Sequence, residues 1–201
     1  MGRTLAALVL VGVLAAACGG GSSEEPPANS AAPGDASSPT APVFLLSSDY
    51  EQVCGGGTIS QAAPYEKGPG LHPLIVFEGE DPEYEYMSLT LPEGWQSQEV
   101  SIDNTELVAC LDRTSEKKDM VCPGYESDDF PEPFDVELFS ATWNVTLYAA
   151  NTGEEVASGE ISAADKDCPF IVFYEESEDV QREYADVSDQ LRGFVKKYVS
   201  P

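Results

Sequence analysis

Three short runs along the chain are apolar without interruption: Leu74-Ile75-Val76-Phe77, Leu107-Val108-Ala109-Cys110-Leu111 and Phe170-Ile171-Val172-Phe173-Tyr174. Such runs are the pattern of strands covered on both faces. Elsewhere apolar positions alternate with polar ones. Met87, Leu89 and Leu91 alternate with Tyr86, Ser88 and Thr90, and Val136 and Leu138 with Asp135 and Glu137. Trp143, Val145, Leu147 and Ala149 alternate with Thr142, Asn144, Thr146 and Tyr148. A period of two predicts strands with one buried face. Asn151-Thr152-Gly153 tolerates positive φ and predicts a hairpin from the last of these strands into residues 155–161. Gly55-Gly56-Gly57, Gly68-Pro69-Gly70, Asp81-Pro82, Pro92-Glu93-Gly94 and Pro131-Glu132-Pro133 punctuate the rest. Short strands separated by dense Gly/Pro turns predict a mainly β fold, an antiparallel β-sandwich or open barrel.

The period changes near the C-terminus. Val180, Tyr184, Val187, Leu191, Phe194 or Val195, and Tyr198 step by three and four, which predicts one amphipathic α-helix over 177–199. Ser177 can cap it, with Glu178 and Asp179 in the first turn and Lys196-Lys197 in the last. Its polar face carries Glu183, Asp186 and Asp189, the wrong sign for lying on a membrane, so the stripe is expected to dock on the protein's own sheet.

Charge then removes whole classes of function. The 201 residues hold 36 Asp+Glu against 10 Lys+Arg, a formal net charge of −26. A chain this acidic has no footprint for phosphate backbones, so nucleic-acid binding is excluded. A single histidine leaves most hydrolase and metal chemistries without their usual base or ligand. Hydrophobic residues make up 42% of the chain, enough for a packed core.

The first seventeen residues stand apart. Arg3 supplies a positive start and Leu5 to Ala17 is apolar or small throughout. Thirteen helical residues at ~1.5 Å each reach ~20 Å, short of the ~30 Å hydrocarbon core, so residues 1–17 read as an export signal peptide. They end in Val13-Leu14-Ala15-Ala16-Ala17-Cys18-Gly19. This sequence resembles the lipobox of bacterial lipoproteins, with the usual leucine one place early, at Leu14. The resemblance implies that Cys18 is the first mature residue and carries acyl chains such as palmitate. An ordinary signal peptide cut after Ala15-Ala16-Ala17 is the alternative. Residues 18–42 lack bulky apolar side chains and cannot offset backbone ordering at ~1–2 kcal/mol per residue. They read as the flexible linker of a lipid-anchored protein, and 43–201 as the globular domain.

With Cys18 set aside, Cys54, Cys110, Cys122 and Cys168 remain, an even number in an exported chain, which predicts two disulfides. Cys110 and Cys122 flank a segment rich in charge (Asp112, Arg113, Glu116, Lys117, Lys118 and Asp119) that reads as an exposed loop between adjacent strands. That reading pairs Cys110 with Cys122 and, by elimination, Cys54 with Cys168. A zinc site from all four is the rival, but no C-x-x-C pair is present. Cys54-Gly55, Ala63-Pro64-Tyr65, Gly68-Pro69-Gly70-Leu71-His72-Pro73, Cys122-Pro123-Gly124-Tyr125, Tyr148-Ala149-Ala150-Asn151-Thr152-Gly153 and Cys168-Pro169 follow one another in order. Together with Leu91-Pro92, Trp95 and Leu107-Val108-Ala109-Cys110 between them, they are similar to an uncharacterised four-cysteine module of exported bacterial proteins, over about residues 54–174. The resemblance implies structural cysteines and supplies no catalytic residue.

Candidate chemistry is sparse. His72 sits at the entrance to a strand with no nucleophile elbow nearby and reads as a locally bonded turn histidine. Residues 78–83, 126–129, 165–167 and 175–179 are acidic clusters that could hold Ca²⁺, although none has the spacing of a calcium loop, and a solvated acidic surface is the simpler reading. Gly55-Gly56-Gly57 lacks the lysine and spacing of a phosphate loop. No catalytic residue, metal ligand or cofactor is therefore assigned. The expectation is a lipoprotein on the outer side of the cytoplasmic membrane, held in the bilayer by acyl chains on Cys18. It would act without catalysis by binding an envelope protein, a cationic peptide or a metal ion. A carboxylate-based hydrolase and a structural lipoprotein without ligand are the alternatives.

Overall fold

In the computed structural model of the protein, the described residues are 45–80, 82–97, 99–127, 130–172 and 180–201, all within the unit Ala41–Pro201. Cys18, the leader and linker, Phe173-Tyr174, Ser177 and the acidic cluster at 175–179 lie outside them. The elements run 3₁₀ helix Ser47–Val53, β1 Leu74–Glu80, β2 Glu83–Tyr86, 3₁₀ helix Glu99–Asn104, β3 Leu107–Ser127, β4 Phe130–Ala149, β5 Glu155–Ala163, β6 Gln181–Tyr184 and α1 Ser188–Val199. The strands form one mixed sheet in the order β2-β1-β3-β4-β5, with β6 also paired to β4. The fold is mainly β with one C-terminal helix, as the pattern predicts. Two pairings, β1 with β3 and β4 with β6, are parallel rather than antiparallel, and the sheet is open.

Two of the apolar runs and the alternation that begins at Trp143 produce the centre of this sheet. Leu74 to Phe77 and Leu107 to Leu111 are buried on both faces, and they pair with each other in register from Leu74↔Leu107 to Glu78↔Leu111. Alternate side chains share a face. Leu74, Val76, Leu107, Leu111, Trp143 and Leu147 pack on one side with Leu191, Val195 and Val199 of α1. These three helix positions, spaced by four, are fully buried, each contributing about 1.5–3 kcal/mol. The opposite face carries Ile75, Phe77, Val108 and Cys110 against Tyr50, Val53 and Ile59. A smaller cluster of Cys122, Val136 and Leu138 lies further along β3 and β4. The turn at Asn151-Thr152-Gly153 joins β4 to β5 as expected, with Gly153 at φ 69°.

Several elements differ from their sequence expectation. The segment 111–121 is no loop: β3 runs for 21 residues beside the 20 of β4. Its residues Thr114 to Asp119 are exposed, as their charge implies, but backbone pairing with β4 continues through them, and a ribbon open to water needs no apolar alternation. This also corrects the disulfides. They join Cys54 to Cys110 and Cys122 to Cys168, each with Cα atoms 5.6 Å apart. Cys110 and Cys122 lie on one strand, twelve residues or about 40 Å of contour apart, beyond the reach of any bridge.

The helix begins at Ser188, eleven residues later than predicted. Gln181–Tyr184 is instead β6, paired with residues 136–139 of β4, so the sheet takes up this segment. Asp186 Oδ1 accepts the Ser188 amide at 2.8 Å and marks the change of conformation. Met87, Leu89 and Leu91 are half-buried in alternation, yet they form no ladder; the amide of Leu89 donates to the Gln96 side chain. Phe170 and Ile171, expected inside a strand, are 96% and 69% exposed. No helix among the described residues is long and apolar enough to cross a membrane.

Candidate functional site

α1 has 12 residues and spans about 18 Å, whereas β3 has a contour of about 70 Å. The helix therefore covers only part of its sheet face. Beyond it the same face turns polar, and there a cavity of about 510 Å³ is lined by Glu78, Arg113, Glu116, Arg182 and Tyr184 together with Gly79, Thr114 and Ser115. The alternation that buries Leu107, Ala109 and Leu111 places Arg113 next on that face, opposite Trp143 on β4. The β4–β6 register sets Tyr184 beside Phe139, with Arg182 two residues earlier on the same side of β6.

The side chains form one network. Trp143 Nε1 donates to Glu78 Oε1 at 2.7 Å, and Arg113 Nε donates to the same oxygen at 3.1 Å. Arg113 Nη1 reaches Glu116 Oε2 at 3.2 Å, where the Tyr184 hydroxyl also donates at 2.7 Å. Arg182 Nη1 is 3.5 Å from the other Glu116 oxygen. Beneath these groups lies an aromatic floor. The Arg113 guanidinium carbon is 3.7 Å from the centre of the Tyr184 ring, Arg182 lies 5.3 Å over Phe139, and the two rings are 5.6 Å apart. The Tyr184 hydroxyl, with Arg113 and Arg182, holds the Glu116 carboxyl below its usual range. Burial and the bond to Glu116 push the Tyr184 phenol up.

A second cavity of about 350 Å³ is lined by Ser115, Lys117, Ser140, Thr142 and Ser162. The hydroxyls of Thr142 and Ser162 bond each other at 2.9 Å, and Ser140 donates to the Lys117 carbonyl at 3.3 Å. His72 lines neither cavity. It is buried, with Nδ1 2.7 Å from Glu106 Oε2 and Nε2 3.0 Å from the Gly68 carbonyl. The Tyr65 ring meets it edge-on. Among the described residues no group of three or more His, Cys, Asp or Glu is placed to hold a metal ion. Of the acidic clusters' described residues, only Glu78 enters the network.

The cavity residues Arg113, Glu116, Arg182 and Tyr184 are not singled out by the sequence. Arg113 and Glu116 belong to the segment that reads as a loop, and Arg182 and Tyr184 to the segment that reads as helix. One signal was present: Gln181-Arg182-Glu183-Tyr184 puts a cation and an aromatic two apart, on one side if the segment is a strand. The chain matches no protein-family model, no curated protein and no solved structure.

Proposed function

We propose that this protein is a lipid-anchored binding module of the bacterial cell envelope, tethered through acyl chains on Cys18 and presenting the cavity of Arg113, Glu116, Arg182 and Tyr184 to a ligand. The tether rests on the lipobox-like end of the leader and agrees with two disulfides, which persist in oxidising compartments. Binding without catalysis rests on one observation: both carboxylates of the cavity already accept bonds from protein donors, Glu78 from Trp143 and Arg113, and Glu116 from Tyr184, Arg113 and Arg182. A hydrolase built on a carboxylate pair needs one to donate a proton and the other to face substrate or water; two carboxylates tied to one guanidinium serve better to hold Arg113 for a ligand. Two or more acyl chains at ~0.8 kcal/mol per buried methylene anchor stably, and no electrostatic help is needed.

The test is fractionation and intact mass of the native protein beside its Cys18→Ser variant. The wild type is expected in the membrane fraction with a mass raised by acyl groups, and the variant in the soluble fraction without them. A soluble wild type with an unmodified N-terminus would overturn the tether.

A further inference from the structure

Resting on the reading of the cavity as a binding site, we propose that its ligand is a small molecule bearing one oxyanion, a carboxylate or phosphoryl group, held between Arg113 and Arg182. Donors and acceptors are unevenly used across the cavity. Each guanidinium has five N–H donors. Among the described residues, Arg113 gives Nε to Glu78 and Nη1 to Glu116, and Arg182 gives Nη1 to Glu116 at 3.5 Å and also bonds the Tyr184 hydroxyl. The acceptors are the more heavily used side. Glu116 takes Tyr184, Arg113 and Arg182, and one oxygen of Glu78 takes both Trp143 and Arg113. What the cavity has left to offer is therefore mostly N–H.

Those donors are oriented and reachable. The guanidinium carbons lie over the rings of Tyr184 and Phe139, a cation–π contact that restrains each side chain while its remaining N–H groups can bind an oxyanion with two bonds. The side chains of Arg113 and Arg182 are 31% and 48% exposed, so a ligand reaches them without unfolding the sheet. Arg113 and Arg182 are also two of the three arginines among the described residues, gathered in one place on a chain of net charge −26. That surrounding field repels polyanions. It confines the site to ligands with one or two negative charges whose attraction is local. The cavity volume, about 510 Å³, leaves room for a small organic body behind the anionic group.

The proposal is tested by titrating the purified full-length protein with succinate, inorganic phosphate and sn-glycerol 3-phosphate, with choline as the cationic control. The readouts are tryptophan fluorescence, which Trp143 carries through its bond to Glu78, and the arginine Nε–H signals in NMR. Saturable binding of at least one anion is expected, weakened at least tenfold in Arg182→Gln and in Arg113→Lys with melting temperature retained for Arg182→Gln. Succinate alone would specify a carboxylate ligand; phosphate and glycerol phosphate would specify a phosphoryl group. Should Arg182→Gln fail to fold, Arg182→Lys keeps the charge, removes the fork and gives the same reading. Anion binding unchanged in both variants, or no response to any anion, overturns the proposal. A saturable response to choline alone overturns it too and leaves the binding module standing with the opposite ligand charge. A soluble, unacylated protein that still binds the anion overturns only the tether.

Discussion

His72, buried, pairs with half-buried Glu106: the imidazole Nδ1 lies 2.7 Å from a carboxylate oxygen while Nε2 faces the Gly68 carbonyl. Both ring nitrogens face acceptors, an arrangement that favours the doubly protonated ring. Burial alone would lower its pKa; the Gly68 carbonyl and the Glu106 carboxylate overcome that and raise it above 6.5. A native pKa above the unfolded value contributes stability in full below about pH 6.5, and that stability is lost as pH rises through the native value. The melting temperature is expected to fall on the alkaline side of that window. In Glu106→Gln the titration moves down and the slope diminishes. Because the chain has one histidine, a single imidazole signal in a proton NMR titration measures the pKa directly, and a value below 6.5 in the wild type would contradict the pairing.

Non-reducing peptide mapping is expected to return Cys54–Cys110 and Cys122–Cys168. The loops they close span 56 and 46 residues, so each bridge contributes about 4 kcal/mol in the chain-entropy model. The double variants Cys54→Ser/Cys110→Ser and Cys122→Ser/Cys168→Ser should each unfold at clearly lower denaturant concentration. A peptide joining Cys110 to Cys122 in the folded protein would mean that β3 is broken.

Tyr184→Phe separates the two roles of that residue. The ring under Arg113 is retained and the hydroxyl on Glu116 is lost. The Glu116 pKa is expected to rise toward the ordinary carboxylate range, though Arg113 and Arg182 still hold it down. A depressed carboxylate contributes stability above its unfolded pKa of about 4.3 and loses it as pH falls through the native value, so in the variant this contribution disappears at a higher pH. Carboxyl-carbon NMR across the acid range checks both points, and an unmoved Glu116 signal would remove Tyr184 from the network.

Gly153→Ala should destabilise the β4–β5 hairpin by about 1–3 kcal/mol. Gly153 sits at φ 69°, and an added Cβ would come 2.7 Å from the Gly57 carbonyl oxygen and 3.0 Å from the Thr58 methyl. The strain is local to the turn and the nearer obstacle is backbone, so little relaxation is available. Thermal melting measures the loss; a variant as stable as the wild type would mean the turn adopts another conformation.

What the sequence disclosed was burial, and what it concealed was pairing. Leu74 to Phe77, Leu107 to Leu111 and the apolar positions from Trp143 to Ala149 lie inside as their pattern requires, because removing apolar surface from water does not depend on which strand is the neighbour. Thr114 to Asp119 are exposed as their charge implies, but exposure does not distinguish a loop from a ribbon whose backbone bonds are met across one edge. Tyr184 and Val187 fit a helical stripe equally well, and the edge of β4, a non-local partner, decided for strand at Tyr184. The cavity was hidden for the same reason: Arg113 and Arg182 are 69 positions apart in the chain, and only the register of β3, β4 and β6 brings them over one pair of rings.

Both bridges end on β3, one near its start and one twelve residues on. Before that strand exists, the two thiols it carries are each other's nearest partners along the chain, and short loops close fastest. Oxidative refolding of the reduced protein is therefore expected to pass through a Cys110–Cys122 ring, which the extended β3 cannot contain. Exchange of that ring for the two native bridges is then a required step, and peptide mapping of acid-trapped refolding samples is expected to show the Cys110–Cys122 bond early and to lose it late.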